Sequence, residues 1–204
     1  FALKDKFVVT FLGRLVPMKN PLGFIRAIPY VMPRVIPQVM PHTTNRDKGI
    51  IFLMVGDGEL NQQAKDLAKS LGVEKHIIFT GNRSDVNAVL RNSSLFIGLS
   101  PICHTYSATI MEAMFLGVPV ILDQPPYTKE NFIHKKYAYL VPNDDPKALA
   151  DAIIEIKNSP SVRETLSKNG PVFVRQLGFE KKKIVQQTVE LYKKVAGRKN
   201  PSKE

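Results

Sequence analysis

Residues 95–122 read LFIGLSPICHTYSATIMEAMFLGVPVIL. The stretch opens on a short apolar run, Leu95 to Leu99, crosses a loop of small and polar residues, and continues as a helical pattern over 107–116. Gly117 then punctuates the chain, and a second apolar run, Val118 to Leu122, begins. Strand, helix and strand in this order form a βα unit of a parallel sheet. The same alternation continues outward in both directions. Phe7 to Leu12, Ile50 to Val55, His76 to Thr80 and Tyr137 to Val141 read as further strands. Helical stretches lie near 21–32, 59–71, 84–92, 146–158, 160–169 and 179–195. The pattern predicts an α/β fold, a Rossmann-like doubly wound parallel sheet of six strands, in which residues 1–204 form a single domain.

Composition agrees. The apolar share of 44% and charged share of 23% over 204 residues are ordinary for a globular chain and exclude disordered and collagen-like classes. No apolar run approaches the roughly 20 residues of a membrane-spanning helix. The single cysteine, Cys103, rules out an intramolecular disulfide framework and points to a reducing, cytoplasmic setting. The formal charge of +11 is concentrated at the ends, +5 over residues 1–45 and +6 over 151–204. Charge alone is compatible with nucleic acid, with phosphate ligands or with a solvated surface. No aromatic interleaving accompanies it, so nucleic acid is not expected as a partner.

One segment interrupts the βα rhythm. Prolines stand at 29, 33, 37 and 41, with the apolar pairs Val31-Met32, Val35-Ile36 and Val39-Met40 between them. Interior proline removes a helical hydrogen bond and clashes with the preceding turn, so the first helix is expected to fail near Pro33 and an inserted Pro-rich loop to span 33–49.

The chemistry is expected where the strands end. Gly13-Arg14-Leu15-Val16-Pro17-Met18-Lys19 follows the first strand; a glycine there lets backbone approach a ligand, and Arg14 and Lys19 offer two cations to one anionic group. Alone, such a pair reads equally as solvated charge. Gly56-Asp57-Gly58 follows the second strand and Gly81-Asn82-Arg83-Ser84 the third, both explicable as turns. After the fourth strand, Ser107, Ala108 and Thr109 open a helix whose free N–H groups could receive an anion, with Glu112 in its second turn.

In order along the chain, GRLVPMK, VGDGEL, FTG and SPICHTYSATIMEAMFLGVPVI resemble the C-terminal, donor-binding domain of retaining glycosyltransferases of the GT-B fold, the GT4 family once called glycosyltransferase group 1. The resemblance runs from about Val8 to the last helix. It implies that Arg14 and Lys19 clamp the diphosphate of a nucleotide-sugar donor and stabilise it as leaving group. It implies that Glu112, the second glutamate of the family's E-x7-E motif, accepts hydrogen bonds from the ribose, and that backbone around Tyr106, Ser107, Ala108 and Thr109 cradles the phosphates. Gly13, Gly56 and Arg83 fall where the family's loops approach the nucleotide.

At the first glutamate of E-x7-E this chain has His104. That residue touches the transferred sugar in the family, so His104 is the candidate sugar-facing group, able to donate a hydrogen bond or, when protonated, a charge. The change also leaves open a domain that binds a nucleotide-sugar without transferring it. A GT-B-type sugar-nucleotide epimerase is the alternative within the same fold. Such transferases need no metal, and the four histidines are scattered without ligand spacing. The implied partners are the donor, an N-terminal acceptor-binding domain that this chain does not supply, and, through the amphipathic helix after Lys181-Lys182-Lys183, an anionic membrane surface. On this reading the chain alone binds donor and turns nothing over.

Overall fold

The strands assemble in the order β3-β2-β1-β4-β5-β6, every pairing parallel. They are β1 (Phe7–Leu12), β2 (Ile50–Val55), β3 (Ile77–Gly81), β4 (Leu95–Gly98), β5 (Val120–Asp123) and β6 (Tyr139–Val141). A computed structural model describes residues 5–35, 49–100, 107–124, 126–178 and 181–196. The helices are α1 (Pro21–Val35), α2 (Asn61–Ser70), α3 (Val86–Arg91), α4 (Ala108–Phe115), α5 (Pro126–Asn131), α6 (Pro146–Asn158), α7 (Pro160–Gln176) and α8 (Lys181–Ala196).

Alternation within each strand explains the layers. Val9, Phe11, Leu95, Ile97 and Ile121 face one core with α1, α2 and α6, whereas Phe96, Val120 and Leu122 face another with α3, α4 and α7. Both faces of the sheet are therefore covered, which is why its strands read as continuous apolar runs.

Two expectations need correction. The first helix does not fail near Pro33 but runs to Val35 with Pro29 and Pro33 inside it. Phe24, Ile25, Ala27, Ile28, Val31 and Met32 are all buried on one face of α1, while Arg26, Tyr30 and Pro33 are exposed. Burying each large apolar side chain contributes about 2 kcal/mol. Together they outweigh the roughly 3 kcal/mol that each of the two interior prolines costs. The rest of the expected insertion, 36–48, lies outside the described residues.

Likewise α7 does not stop at 169; it continues through Gly170-Pro171 to Gln176. A Cβ at Gly170 would lie 3.0 Å from the Met114 carbonyl oxygen, so this glycine serves the close packing of α7 on α4 rather than a helix end. The short helix α5 falls in a stretch to which the sequence pattern assigned no element.

Candidate functional site

The sheet order reverses beside β1. From there the chain winds outward through β2 and β3, then crosses back to β4 on the opposite side. The loops leaving β1 and β4 consequently part at their C-terminal ends, and a crevice opens between them. Gly13 and Lys19 line it from the β1 side, Gly98 and Leu99 from the end of β4, and Ser107 and Thr109 from the head of α4.

The basic loop is held rigidly against its neighbour. Gly13 N–H donates to the Val55 carbonyl at 3.0 Å, Leu15 N–H to Asp57 O at 2.9 Å, and Leu60 N–H to Leu15 O at 2.9 Å. Leu15 is wholly buried, a plug in the middle of the loop. Beyond it, Pro17–Lys19 form one turn of 3-10 helix that leaves Lys19 half-buried at the crevice wall. Lys19 makes no ion pair among the described residues, so its ammonium is available to an anion.

Across the crevice, Ser107 stands at the N-cap of α4 without using its side chain as a cap. The first-turn N–H groups have no partner within the helix. With the positive end of the helix dipole they face the same space as Lys19. A cation on one wall and first-turn N–H donors without an intrahelical partner on the other suit a multiply charged phosphate.

The remaining expected residues fall into four groups. Arg14 is exposed at the crevice mouth's loop and is not among its lining residues; Glu112 and Ala108 are exposed on α4. Gly56 stands behind the site: at φ +126° it packs so tightly that a Cβ would lie 2.0 Å from Gly13 O. Arg83 is engaged elsewhere, its Nε and Nη2 donating to the two carboxylate oxygens of Asp85 at 2.7 and 2.6 Å. That pairing holds the Asp85 carboxyl below its ordinary range and raises Arg83. His104 and Tyr106 lie outside the described residues.

One residue was missed by sequence reasoning. Asp123, at the end of β5 and 1% exposed, accepts the Ser100 N–H with both carboxylate oxygens, at 3.0 and 2.9 Å. It thereby fixes the start of the segment that joins β4 to α4. A carboxylate closing the apolar run Val120-Ile121-Leu122 was the available signal.

The family model for glycosyl transferases group 1 matches residues 2–173. The chain belongs to this glycosyltransferase family. Among curated relatives it is 27% identical over 169 residues to UDP-Gal:alpha-D-GlcNAc-diphosphoundecaprenol alpha-1,3-galactosyltransferase of Escherichia coli, covering 81% of this chain and 40% of that protein. It is 26% identical over 188 residues to the lipopolysaccharide core biosynthesis glycosyltransferase LpsD of Rhizobium meliloti, covering 92% of this chain and 50% of that one. The chain thus spans half the length, or less, of these relatives. Anabaena HepE, crystallised with UDP and glucose, has a similar fold, with a TM-score of 0.79, 22% identity, and coverage of 94% of this chain and 49% of that one. The group 1 chain described here is accordingly one Rossmann-like half of a GT-B architecture.

Proposed function

We propose that this group 1 chain is the donor-binding half of a retaining glycosyltransferase, and that the crevice between β1 and β4 holds the diphosphate of a nucleotide-sugar. The observation that carries the reading is the convergence of Lys19 and the head of α4, where Ser107 makes no side-chain cap, on one crevice. UDP and UDP-glucose in HepE structures of the same fold support a nucleotide-sugar as ligand.

In the transfer step the bond from the sugar's anomeric carbon to the donor phosphate breaks, and a bond from the acceptor oxygen to that carbon forms on the same face. The acceptor proton passes to the departing phosphate oxygen. Negative charge grows on the diphosphate during this step, and groups already fixed around it act without reorganising. Lys19, the N–H groups of α4 and Arg14, swung in from the start of the same loop, supply that stabilisation. By its place in the motif Glu112 is assigned the ribose, and the position of His104 in the same motif is the one that serves the sugar. Cationic side chains take the part a metal plays elsewhere, so turnover by the full-length protein should persist in a chelator.

The acceptor belongs to a second, N-terminal domain, and this chain alone should bind donor without transfer. Helix α8 supports a peripheral contact of the protein with an anionic membrane. Ile184, Val185, Val189, Leu191, Tyr192 and Val195 are all exposed on one side of it, and Lys183, Lys193 and Lys194 lie away from that stripe. Sedimentation with phosphatidylglycerol vesicles but not with neutral ones is the expected outcome; equal sedimentation with both would dismiss the contact.

A thermal-shift panel of UDP-, GDP-, ADP- and CMP-linked sugars tests the donor reading, because a ligand that binds only the folded state raises its melting temperature. One base class should stabilise the chain, and the R14A/K19A double variant should abolish the shift. A shift surviving both changes would place the diphosphate elsewhere. Binding without transfer by the full-length protein would instead favour a degenerate binder, with His104 in place of glutamate as its cause.

A further inference from the structure

We infer that Asn20 is a positioning residue for Lys19, and that Asn20 and Gly23 form a latch aiming the lysine across the crevice; the inference rests on the donor-binding reading above. Lys19 ends its 3-10 turn, and Asn20 alone separates it from α1. Asn20 serves both elements at once. Its backbone N–H donates to the Pro17 carbonyl at 3.0 Å and closes the turn that carries Lys19. Its side-chain Oδ1 accepts the Gly23 N–H at 3.0 Å and so satisfies one of the orphan donors in the first turn of α1.

Between these two bonds the backbone of Asn20 turns through the left-handed region, at φ +46° and ψ +50°, which asparagine tolerates better than other residues with a side chain. Gly23 completes the latch by what it lacks. A Cβ there would lie 2.5 Å from Asn20 Nδ2 and 2.8 Å from both Cγ and Oδ1, so the amide occupies the space a side chain would need. Glycine inside a helix costs about 1 kcal/mol relative to alanine, so its presence in the first turn of α1 calls for a local reason. The adjoining Phe24 and Ile25 are fully buried, which makes α1 a fixed anchor. A flexible four-carbon lysine stem is thus tied at its base to the immobile core.

The test is a double-mutant cycle read by calorimetric titration of this chain with UDP and GDP, the tighter of the two serving as probe. K19A is expected to weaken binding at least tenfold and N20A three- to tenfold. The K19A/N20A double variant should bind within twofold of K19A, because a residue acting through Lys19 has nothing left to position once the ammonium is gone. N20G, which keeps the left-handed turn and loses the cap, should fall between wild type and N20A.

G23A supplies an independent sign. It raises helix propensity, yet drives a methyl group into the Asn20 amide, so it should weaken binding in the wild-type background and leave K19A unchanged. Fully additive losses from K19A and N20A, or a G23A variant that binds as well as wild type, would overturn the latch while leaving the donor reading intact. A K19A variant that binds as wild type does, or a wild type that binds neither of these nor ADP, would overturn the donor reading and the latch with it.

Discussion

Gly56 has no side chain because the Gly13 carbonyl stands where its Cβ would be. Its backbone is also left-handed, at φ +126°. Gly56→Ala therefore has both a steric and a conformational penalty, expected at about 3 kcal/mol in all. In a domain of this size that corresponds to a melting temperature lower by roughly 6–12 °C. Differential scanning calorimetry checks it, and a variant melting within 2 °C of wild type would show that the two loops are not locked as described. The residue scale is where sequence reasoning was most selective. The glycine and two cations of GRLVPMK did not by themselves separate a phosphate loop from solvated charge; the order of motifs along the chain favoured the first, and the structure puts Lys19, though not Arg14, in the crevice wall. The resemblance assigned Gly56 and Arg83 to loops that approach the nucleotide; in the structure Gly56 backs Gly13 and Arg83 clasps Asp85. Linear order locates a loop at the sheet edge; which way its side chains turn depends on partners such as Asp85 that spacing does not encode.

At the scale of elements, β6 and α6 are joined by a polar cluster that makes stability depend on pH. His134 Nδ1 accepts the Leu140 N–H at 3.0 Å, a bond that requires this nitrogen to be unprotonated. Burial, reinforced by the nearby Lys135, holds its pKa below the usual 6.5. On Glu155, hydrogen bonds from Lys135 Nζ and from the Tyr139 hydroxyl, each at 2.6 Å, hold the carboxyl below 4.5, while burial and Glu155 push the tyrosine up. In both groups the unfolded chain takes up its proton first as pH falls, so acid favours unfolding. The His134 contribution is complete above 6.5 and declines below it; the Glu155 contribution declines below 4.5. Urea denaturation between about pH 8 and pH 4 should give a midpoint that is level at the alkaline end and falls in these two windows. A midpoint that stayed level through the first window, or H134Q showing the same decline there, would contradict the assignment. Element boundaries were legible wherever burial and local signals agreed, as at β1, β2 and α6. They failed at Pro33 and Gly170, where local chemistry says break and a buried face says continue.

At the scale of the whole molecule, parallel pairing throughout puts every strand's C-terminal end on one edge, and the reversal beside β1 determines where on that edge a ligand fits. This much followed from alternating apolar runs and helical stretches, because crossover handedness leaves few other arrangements. What α8 covers was not legible in the same way: its exposed apolar stripe states a need for a partner and not which one. The +6 charge of the C-terminal quarter belongs largely to that helix and the residues after it, while part of the N-terminal +5 serves the crevice through Lys19. The claim on which everything else depends is the place of the diphosphate. A crystal structure of the chain with UDP or GDP, whichever it binds, measures it directly. The diphosphate should lie between Lys19 Nζ and the N–H groups at the head of α4, within hydrogen-bonding distance of both. A nucleotide seated at the opposite edge of the sheet, or with its phosphates turned away from Lys19, would contradict it.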